Sequence, residues 1–332
     1  MTPPAGPVPT PAGRRRWLRL VDNLFQYLTA LLAFAIVAVL AAFVVVLVEG
    51  STLTLNRYGF AFLTGSNWDP EHAIFGTVPF VVGTILTSAI ALVIAVPLSI
   101  GIAIFLSELA PGWIATPLGY VVELLAAVPS VVFGFWGFAV LVPFLRFEVD
   151  PGLHAANQAV SNAIHYPLPF FSGSSSGQDL FSAGVILAIM IVPTIAAITR
   201  ESLRAVPVAQ REAALSLGAT RWEATRLSVL SYARIGILGA IILGLGRALG
   251  ETMAVTMTIG NHDALPTSLF SQGQTIASLI ATEFFANPPG SPEVSALIEA
   301  GLVLLTITLA INVLARLFVW RLVRTTGGGA IE

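Results

Sequence analysis

Residues 198–234 read ITRESLRAVPVAQREAALSLGATRWEATRLSVLSYAR and form a charged, amphipathic segment between two long apolar runs. Pro207 suits the first turn of a helix, because a backbone N–H at that position has no partner within the helix. The residues expected along one face of this helix are Val206, Ala209, Ala213 and Leu217. Gly218 suits the left-handed position after a helix end, and Thr220 with Glu223 has the pattern of a capping box. We therefore predict a short helix, a tight turn and a second helix that continues into the next apolar run.

The composition is that of an integral membrane protein, since 56% of the residues are hydrophobic and only 10% are charged. An average globular protein has about 25% charged residues. All 16 basic residues are arginine, so the chain lacks the lysine that a phosphate-binding P-loop requires. The absence of cysteine excludes disulfides and thiolate ligands, and the four histidines are too scattered in sequence to suggest a metal site.

Six apolar runs reach the roughly 20 residues that a membrane-spanning helix needs. They cover residues 24–48, 78–107, 124–145, 180–199, 235–260 and 296–320. Residues 1–23 are rich in proline and then arginine, and are predicted to be a disordered tail. A cleaved signal peptide is the alternative for the first run, but about 25 apolar residues exceed the usual 7–15 of such a signal. The domain prediction is thus a tail (1–23), a first span (24–48), a five-span membrane core (77–320) and a C-terminal tail (321–332).

The arginines are distributed unequally between the two predicted sides of the membrane. Four lie in the N-terminal tail, six in residues 200–234 and three near the C-terminus, whereas the opposite loops carry only Arg57 and Arg146. Because positively charged loops stay in the cytoplasm, both termini and the 200–234 segment are predicted to be cytoplasmic. The predicted external loops are 49–77, 146–179 and 261–295, and they could be a docking surface or spacers.

The fifth apolar run contains small residues at regular spacing, which allow close packing between helices. These residues are Gly236, Ala240 and Gly244, followed by the GxxxG pair Gly246 and Gly250. The same run contains two charged residues, Arg247 and Glu251. In a continuous helix Arg247 would lie near mid-bilayer, with Glu251 one turn further on the same face.

A charge at that depth costs at least about 2.5–3.5 kcal/mol on insertion scales, so it needs a partner or a polar path. In one interpretation Arg247 and Glu251 neutralise each other and support packing. In the other, Arg247, Glu251 and the adjacent Thr252 line a substrate pathway, where a guanidinium offers paired donors to an oxyanion such as phosphate. Glu123 and Glu299 lie near the ends of their spans and are expected at the membrane interface.

The 206–231 helix pair also has two interpretations on physical grounds. It could rest on anionic lipid as an amphipathic surface element, or it could dock a cytoplasmic partner. The residues EAALSLG at 212–218 resemble the EAA loop of ABC-importer permeases, whose pattern is EAA, three residues, Gly, nine residues and then I-x-L-P. The matching positions are Glu212, Ala213, Ala214, Gly218 and Leu230, whereas Ser228 and Ser231 replace the isoleucine and proline. This resemblance implies that the loop couples the chain to an ATPase subunit.

Three further stretches resemble one of the two permeases of phosphate-importing ABC transporters. They are VELLAAVPSVVFGFWG (121–136), IVPTIAAITRESLRAVP (191–207) and GRALGETMAVTMTIGN (246–261). The resemblance implies an all-α, six-span type I importer permease that is not itself an enzyme and carries Arg247 and Glu251 in its pathway. It also implies a homologous second permease, two ATPase subunits that bind ATP and Mg²⁺, an external phosphate-binding protein, and no cofactor on this chain.

Three other functions fit the same residues. The first is a permease for another oxyanion such as sulfate. The second is an ion-coupled secondary transporter that uses Glu251 directly and needs no ATPase. The third is a membrane scaffold or sensor without transport activity, in which Arg247 would be dispensable.

Overall fold

The structure is a computed structural model that describes residues 12–166, 168, 170–173 and 175–327. These residues form α-helices and no β-strand, which confirms the all-α prediction. The helices are α1 (Ala12–Gly50), α2 (Thr52–Tyr58), α3 (Ala61–Thr64), α4 (Val78–Ile104), α5 (Gly112–Ala126), α6 (Ser130–Trp136), α7 (Val142–Phe144), α8 (Asp150–Ile164), α9 (Leu180–Arg204), α10 (Val208–Ser216), α11 (Arg221–Ala224), α12 (Leu230–Leu249), α13 (Met253–Thr258), α14 (Ile276–Glu283) and α15 (Pro292–Gly327). Turns of π-helix at Phe105–Leu109, Gly137–Leu141, Leu145–Val149 and Thr225–Val229 extend or join neighbouring helices.

Six helical stretches in the described residues are long and apolar enough to cross a membrane, as predicted. They are Asp22–Gly50, Val78–Leu109, Ser130–Ile164, Leu180–Arg204, Arg221–Leu249 and Pro292–Arg321. The described residues up to Gly50 and those from Ser51 onward form two compact units. In the first unit α1 begins at Ala12, inside the segment 1–23 that was predicted to be disordered. The physical reason is that the last proline of the tail is Pro11, after which nothing forbids a helix. Residues 1–11 lie outside the described part.

The second unit has its core where α4, α9, α12 and α13 pack together. Ala91, Leu187 and Ile191 are among the buried residues at this contact. Gly236 and Gly244 of α12 pack against α9, as their spacing predicted, whereas Gly246 and Gly250 of the GxxxG pair do not contact that helix. A Cβ on Gly244 would lie 2.6 Å from the Ile195 side chain, and one on Gly236 would lie 2.4 Å from the Ser202 hydroxyl. Larger residues at these positions would push the two helices apart.

The third predicted span, residues 124–145, is not continuous. Helix α5 ends at Ala126, and a new helix begins at Ser130 after the extended Pro129. Proline disfavours the helical conformation of the residue before it, which explains the break. From Ser130 the helical path continues to Ile164, so the first half of the predicted 146–179 loop is helical.

The fifth predicted span, residues 235–260, is also interrupted. Helix α12 ends at Leu249, and the short helix α13 begins only at Met253. Gly250, Glu251 and Thr252 therefore connect two helices. Glycine at residues 246 and 250 weakens the helix here, and the Glu251 side chain bonds to the backbone N–H of Ala254 at 3.4 Å, which favours a new start.

Candidate functional site

The 206–231 segment folds as a helix pair with the predicted turn. Pro207 has extended backbone (ψ 138°) and lies just before α10 rather than in its first turn. Gly218 has a φ of +87°, so the chain reverses at the predicted glycine. The capping box is present at the start of α11, where the Glu223 N–H donates to the Thr220 hydroxyl at 3.3 Å and the Thr220 N–H donates to the Glu223 carboxylate at 2.8 Å.

The apolar face predicted for this helix is not a buried face. Val206 is only 2% exposed but precedes α10, whereas Leu217 at its far end is 90% exposed. Ala209 and Ala213 are exposed as well. The sequence predicted a shared face for these residues but not whether it is buried, and in the structure α10 carries no buried residue.

A groove of about 550 Å³ lies between α10 and the start of the following helix. Ala214, Leu217, Leu227 and Ser231 are among the residues that line it, and Glu212 and Ala213 lie exposed beside it. The groove walls are joined by a hydrogen bond of 2.9 Å from the Ser228 hydroxyl to the Gln210 carbonyl. Ser228 and Ser231, the two residues that depart from the EAA pattern, both line this groove, and Ser228 also joins its walls. An exposed, partly apolar groove on a loop whose turn is fixed by Gly218 and the capping box is suited to binding a protein partner.

Arg247 occupies the last turn of α12, where the carbonyl end of the helix favours a cation. One Nη1 N–H donates to the hydroxyl of Thr194 on α9 at 3.1 Å. In the described part of the chain no ion pair joins Arg247 and Glu251, because α12 ends between them and they no longer share a helical face. The guanidinium therefore keeps N–H donors for another acceptor.

Glu251 and Thr252 lie in the interruption between α12 and α13. The Thr252 hydroxyl donates to the Gly250 carbonyl at 3.3 Å. Helix α13 packs closely on α6, the helix that follows the other interruption, since a Cβ on Gly134 would lie 3.0 Å from the Ala254 Cα. The helices that follow the two broken spans therefore meet. Interrupted helices are tolerated within a membrane where they are buried in protein or line a polar path.

The two glutamates expected at the membrane interface occupy more specific positions. Glu123 accepts a hydrogen bond of 2.6 Å from Arg200, which is buried at the end of α9. Glu299 is 3% exposed, and its Oε2 has no hydrogen-bond partner among the described residues. Sequence reasoning also missed Thr194, Arg200 and the contact of Arg211 with Glu108, because each partner lies 53 or more residues away along the chain.

The chain belongs to the family described as the binding-protein-dependent transport system inner membrane component, which matches residues 95–324. It is therefore a multi-pass membrane component of a transport system. The chain is 45% identical over 309 residues to the phosphate transport system permease protein PstC of Haemophilus influenzae, covering 92% of this chain and 96% of that protein. The PstC protein of Pasteurella multocida is 43% identical over 310 residues, covering 93% of this chain and 94% of that protein.

A solved structure supports the fold. A chain from a bacterial ABC transporter involved in the import of the acidic polysaccharide alginate aligns with a TM-score of 0.56 and 14% identity. The alignment covers 92% of this chain and 99% of that one. At this identity the likeness concerns the fold alone, and it confirms the importer-permease architecture.

Proposed function

We propose that this chain is the permease subunit of an ATP-driven importer of inorganic phosphate in a bacterial cytoplasmic membrane. The observation that carries the proposal is the exposed 206–231 helix pair, with the EAA pattern at Glu212, Ala213, Ala214 and Gly218. Two relatives with 43–45% identity over more than nine-tenths of the chain are named phosphate transport permeases, which supports phosphate as the substrate.

The helix pair couples the permease to an ATPase. Its exposed apolar side chains Leu217 and Leu227, which line the groove, and the exposed Trp222 of α11 supply the contact surface for an ATPase subunit. Two such subunits bind ATP and Mg²⁺, and their closure moves the helix pair and with it the spans, so that access alternates between the two sides. In this scheme the permease itself performs no covalent chemistry.

The substrate path includes Arg247, Glu251 and Thr252. The guanidinium is held by Thr194 yet retains donors, and it lies next to the interruption at 250–252. These features suit a multiply charged oxyanion, which needs a fixed cation and several hydrogen-bond donors. Bound phosphate would approach Arg247, while the carboxylate of Glu251, within the interruption, would repel it and promote release.

The partners are a homologous second permease, the two ATPase subunits and an external phosphate-binding protein. The arginine distribution supports cytoplasmic termini and a cytoplasmic helix pair. On the opposite side, the described residues of the 165–179 and 261–275 loops are joined by hydrogen bonds, including Leu269 N–H to the Phe170 carbonyl at 2.7 Å and the Ser268 hydroxyl to the Ser172 carbonyl at 2.9 Å. The two loops thus form one continuous surface that is suited to receive the binding protein.

Purification and reconstitution test this proposal. The tagged chain is isolated in mild detergent from its native host, and we expect an ATPase and a second permease to co-elute. The complex is then placed in liposomes with binding protein outside and ATP inside, where ³²P-phosphate should accumulate only with ATP. Excess sulfate should not compete. Phosphate accumulation by this chain alone, driven by an ion gradient, would instead establish a secondary transporter.

A further inference from the structure

Arg211, the residue before the EAA pattern, turns away from the exposed surface of α10 and binds the end of another span. Its Nε donates to Glu108 Oε2 at 3.1 Å, and its Nη2 donates to Glu108 Oε1 at 2.8 Å. Glu108 lies in the π-helical turn Phe105–Leu109 that extends α4. This is a two-point arginine–carboxylate pair, which fixes orientation as well as distance.

The same guanidinium also binds the end of α9. Nη1 donates to the Val206 carbonyl at 2.6 Å, and Nη2 donates to the Leu203 carbonyl at 2.8 Å. The Leu203 carbonyl lies in the last turn of α9, where a cation is favoured, and Val206 lies two residues beyond the end of that helix. Every nitrogen of the guanidinium is therefore used, on two different spans.

The contact is shielded from solvent more than an ordinary surface pair. The exposed fraction of the side chain is 23% for Arg211 and 10% for Glu108. Charge-assisted hydrogen bonds with little water access are stronger than exposed ion pairs. We name the set of Arg211, Glu108, Leu203 and Val206 the Arg211 clamp.

Helix α10 has few other contacts through which a displacement could reach α4 and α9. It contains no buried residue, so it lacks an apolar face packed into the core. The Ser228–Gln210 bond ties it to the second helix of its own pair, which continues into the span Arg221–Leu249, and not to α4 or α9. The Arg211 clamp, by contrast, connects α10 directly to α4 and α9, which pack on each other in the core.

We propose that Arg211 is the positioning residue that transmits displacement of the 206–231 helix pair to α4 and α9. The proposal rests on the proposed function, in which the helix pair receives motion from an ATPase. Because the side chain points inward while Glu212 and Ala213 are exposed, Arg211 acts after docking. Loss of the clamp leaves the ATPase bound and active but separates hydrolysis from transport.

The first experiment measures the distance between α5 and α10, which the Arg211 clamp should hold constant, and it does not depend on the identity of the substrate. The chain has no cysteine, so spin labels can be placed at Gly112→Cys and Ser216→Cys alone. Both positions are exposed, and a Cβ at Gly112 meets no atom within 4 Å. The purified chain should give a narrow distance distribution that becomes broad in Arg211→Gln and in Glu108→Gln. An unchanged distribution in both variants would overturn the proposal.

The second experiment measures uptake and ATP hydrolysis in the same proteoliposomes. In Arg211→Gln, phosphate imported per ATP hydrolysed should fall about tenfold, the effect of losing roughly one charge-assisted bond. Hydrolysis should stay within about twofold of wild type, and Arg211→Gln with Glu108→Gln together should be no worse than Arg211→Gln alone. Arg204→Gln, which removes an exposed arginine of α9, is the matched control and should keep the wild-type ratio.

Two results would contradict transmission by Arg211. One is a wild-type ratio of uptake to hydrolysis in Arg211→Gln. The other is a parallel loss of uptake, hydrolysis and ATPase co-purification, which would make Arg211 a docking or folding residue. Failure of the proposed function is distinct, because it would be seen in the wild-type complex as absent ATP-dependent uptake, while the spin-label distances would still decide whether the clamp holds.

Discussion

The guanidinium of Arg247 and the hydroxyl of Thr194 are joined by a hydrogen bond of 3.1 Å that links the end of α12 to the middle of α9. The bond fixes the direction of a long, flexible side chain while using only part of its donor capacity. The two helices are close here because Gly244, one turn before Arg247, admits the Ile195 side chain of α9. A cation held in this way can bind an anion without first losing much rotamer freedom.

Replacement of Arg247 by glutamine should abolish ATP-driven phosphate uptake, because glutamine lacks the charge and the paired donors. Thr194→Val should lower uptake by about three- to tenfold, since one orienting hydrogen bond contributes roughly 0.5–1.5 kcal/mol. Thr194→Ser keeps the hydroxyl and is the matched control. Initial rates of ³²P-phosphate uptake measure the effect, and near-normal uptake in Arg247→Gln would reduce that residue to a packing role.

Gly218→Pro should lower ATP-dependent uptake strongly while the chain still inserts into the membrane. Proline requires a φ near −65°, whereas Gly218 has a φ of +87°, so the turn between α10 and α11 cannot form. Uptake is compared with the amount of protein in purified membranes. Gly239→Ala is the control, because a Cβ on that helical glycine meets no atom within 4 Å. Unchanged uptake in Gly218→Pro would refute the coupling role of the helix pair.

The features that the sequence predicted correctly depend on residues close together in the chain. The six apolar stretches follow from run length, and the turn at Gly218 and the capping box at Thr220 follow from spacings of a few residues. The packing of Gly236 and Gly244 on α9 follows from helical periodicity. Local chemistry was sufficient for each of these.

The features that the sequence did not predict depend on distant residues or on competition between weak local preferences. The Arg211–Glu108 pair spans 103 residues, and the Arg200–Glu123 pair spans 77. No periodicity in one segment could indicate either pair. At Glu251 the length of the apolar run favours one long helix, whereas Gly250 and the side-chain acceptor of Glu251 favour the start of a new helix. Only the packing of α13 on α6 decides between these two outcomes.

Gly119→Ala should break the contact between α5 and α9. A Cβ at this position would lie 1.9 Å from Nη1 of Arg200, so the guanidinium must leave its place beside Glu123. We expect the free energy of unfolding to fall by about 2 kcal/mol, the range for a charge-assisted hydrogen bond. Thermal unfolding in detergent measures this, with Gly112→Ala, which meets no neighbouring atom, as the control in the same helix.

A double-mutant cycle separates this explanation from a general packing defect. In a Glu123→Gln background, Gly119→Ala should cost clearly less than it does in wild type, because the ion pair is already lost. An equal cost in both backgrounds would contradict the assignment of the effect to the Arg200–Glu123 pair.

The orientation of the chain can be tested at the helix pair itself. Ala214→Cys introduces the only cysteine of the chain beside the groove on α10. In intact cells it should resist a membrane-impermeant maleimide, and it should react after the membrane is permeabilised. Ser176→Cys, exposed in the loop at the opposite end, should react in intact cells. Efficient labelling of Ala214→Cys from outside would reverse the proposed topology.

Asp179, at the end of the 165–179 loop, should make the stability of the fold depend on pH. Its Oδ1 accepts the Ser182 N–H at 2.8 Å and caps α9, and its Oδ2 accepts the Ser175 hydroxyl at 2.7 Å. Burial raises the pKa of Asp179 from 3.8 to about 6, and the nearby charge of Asp150 adds to the shift. The folded chain therefore holds a proton at pH values where the unfolded chain has released it.

This group should stabilise the fold fully below about pH 4, and the contribution should decrease as the pH rises to about 6. Asp179→Asn keeps a capping oxygen and removes the ionisation, so the variant should melt at a higher temperature than wild type at pH 7. The difference between the two proteins should shrink at pH 4.5. Asp179→Ala loses the cap and should melt lower at both pH values. Equal pH dependence in wild type and Asp179→Asn would show that this carboxyl does not titrate in the range, since every other acidic group is common to both proteins.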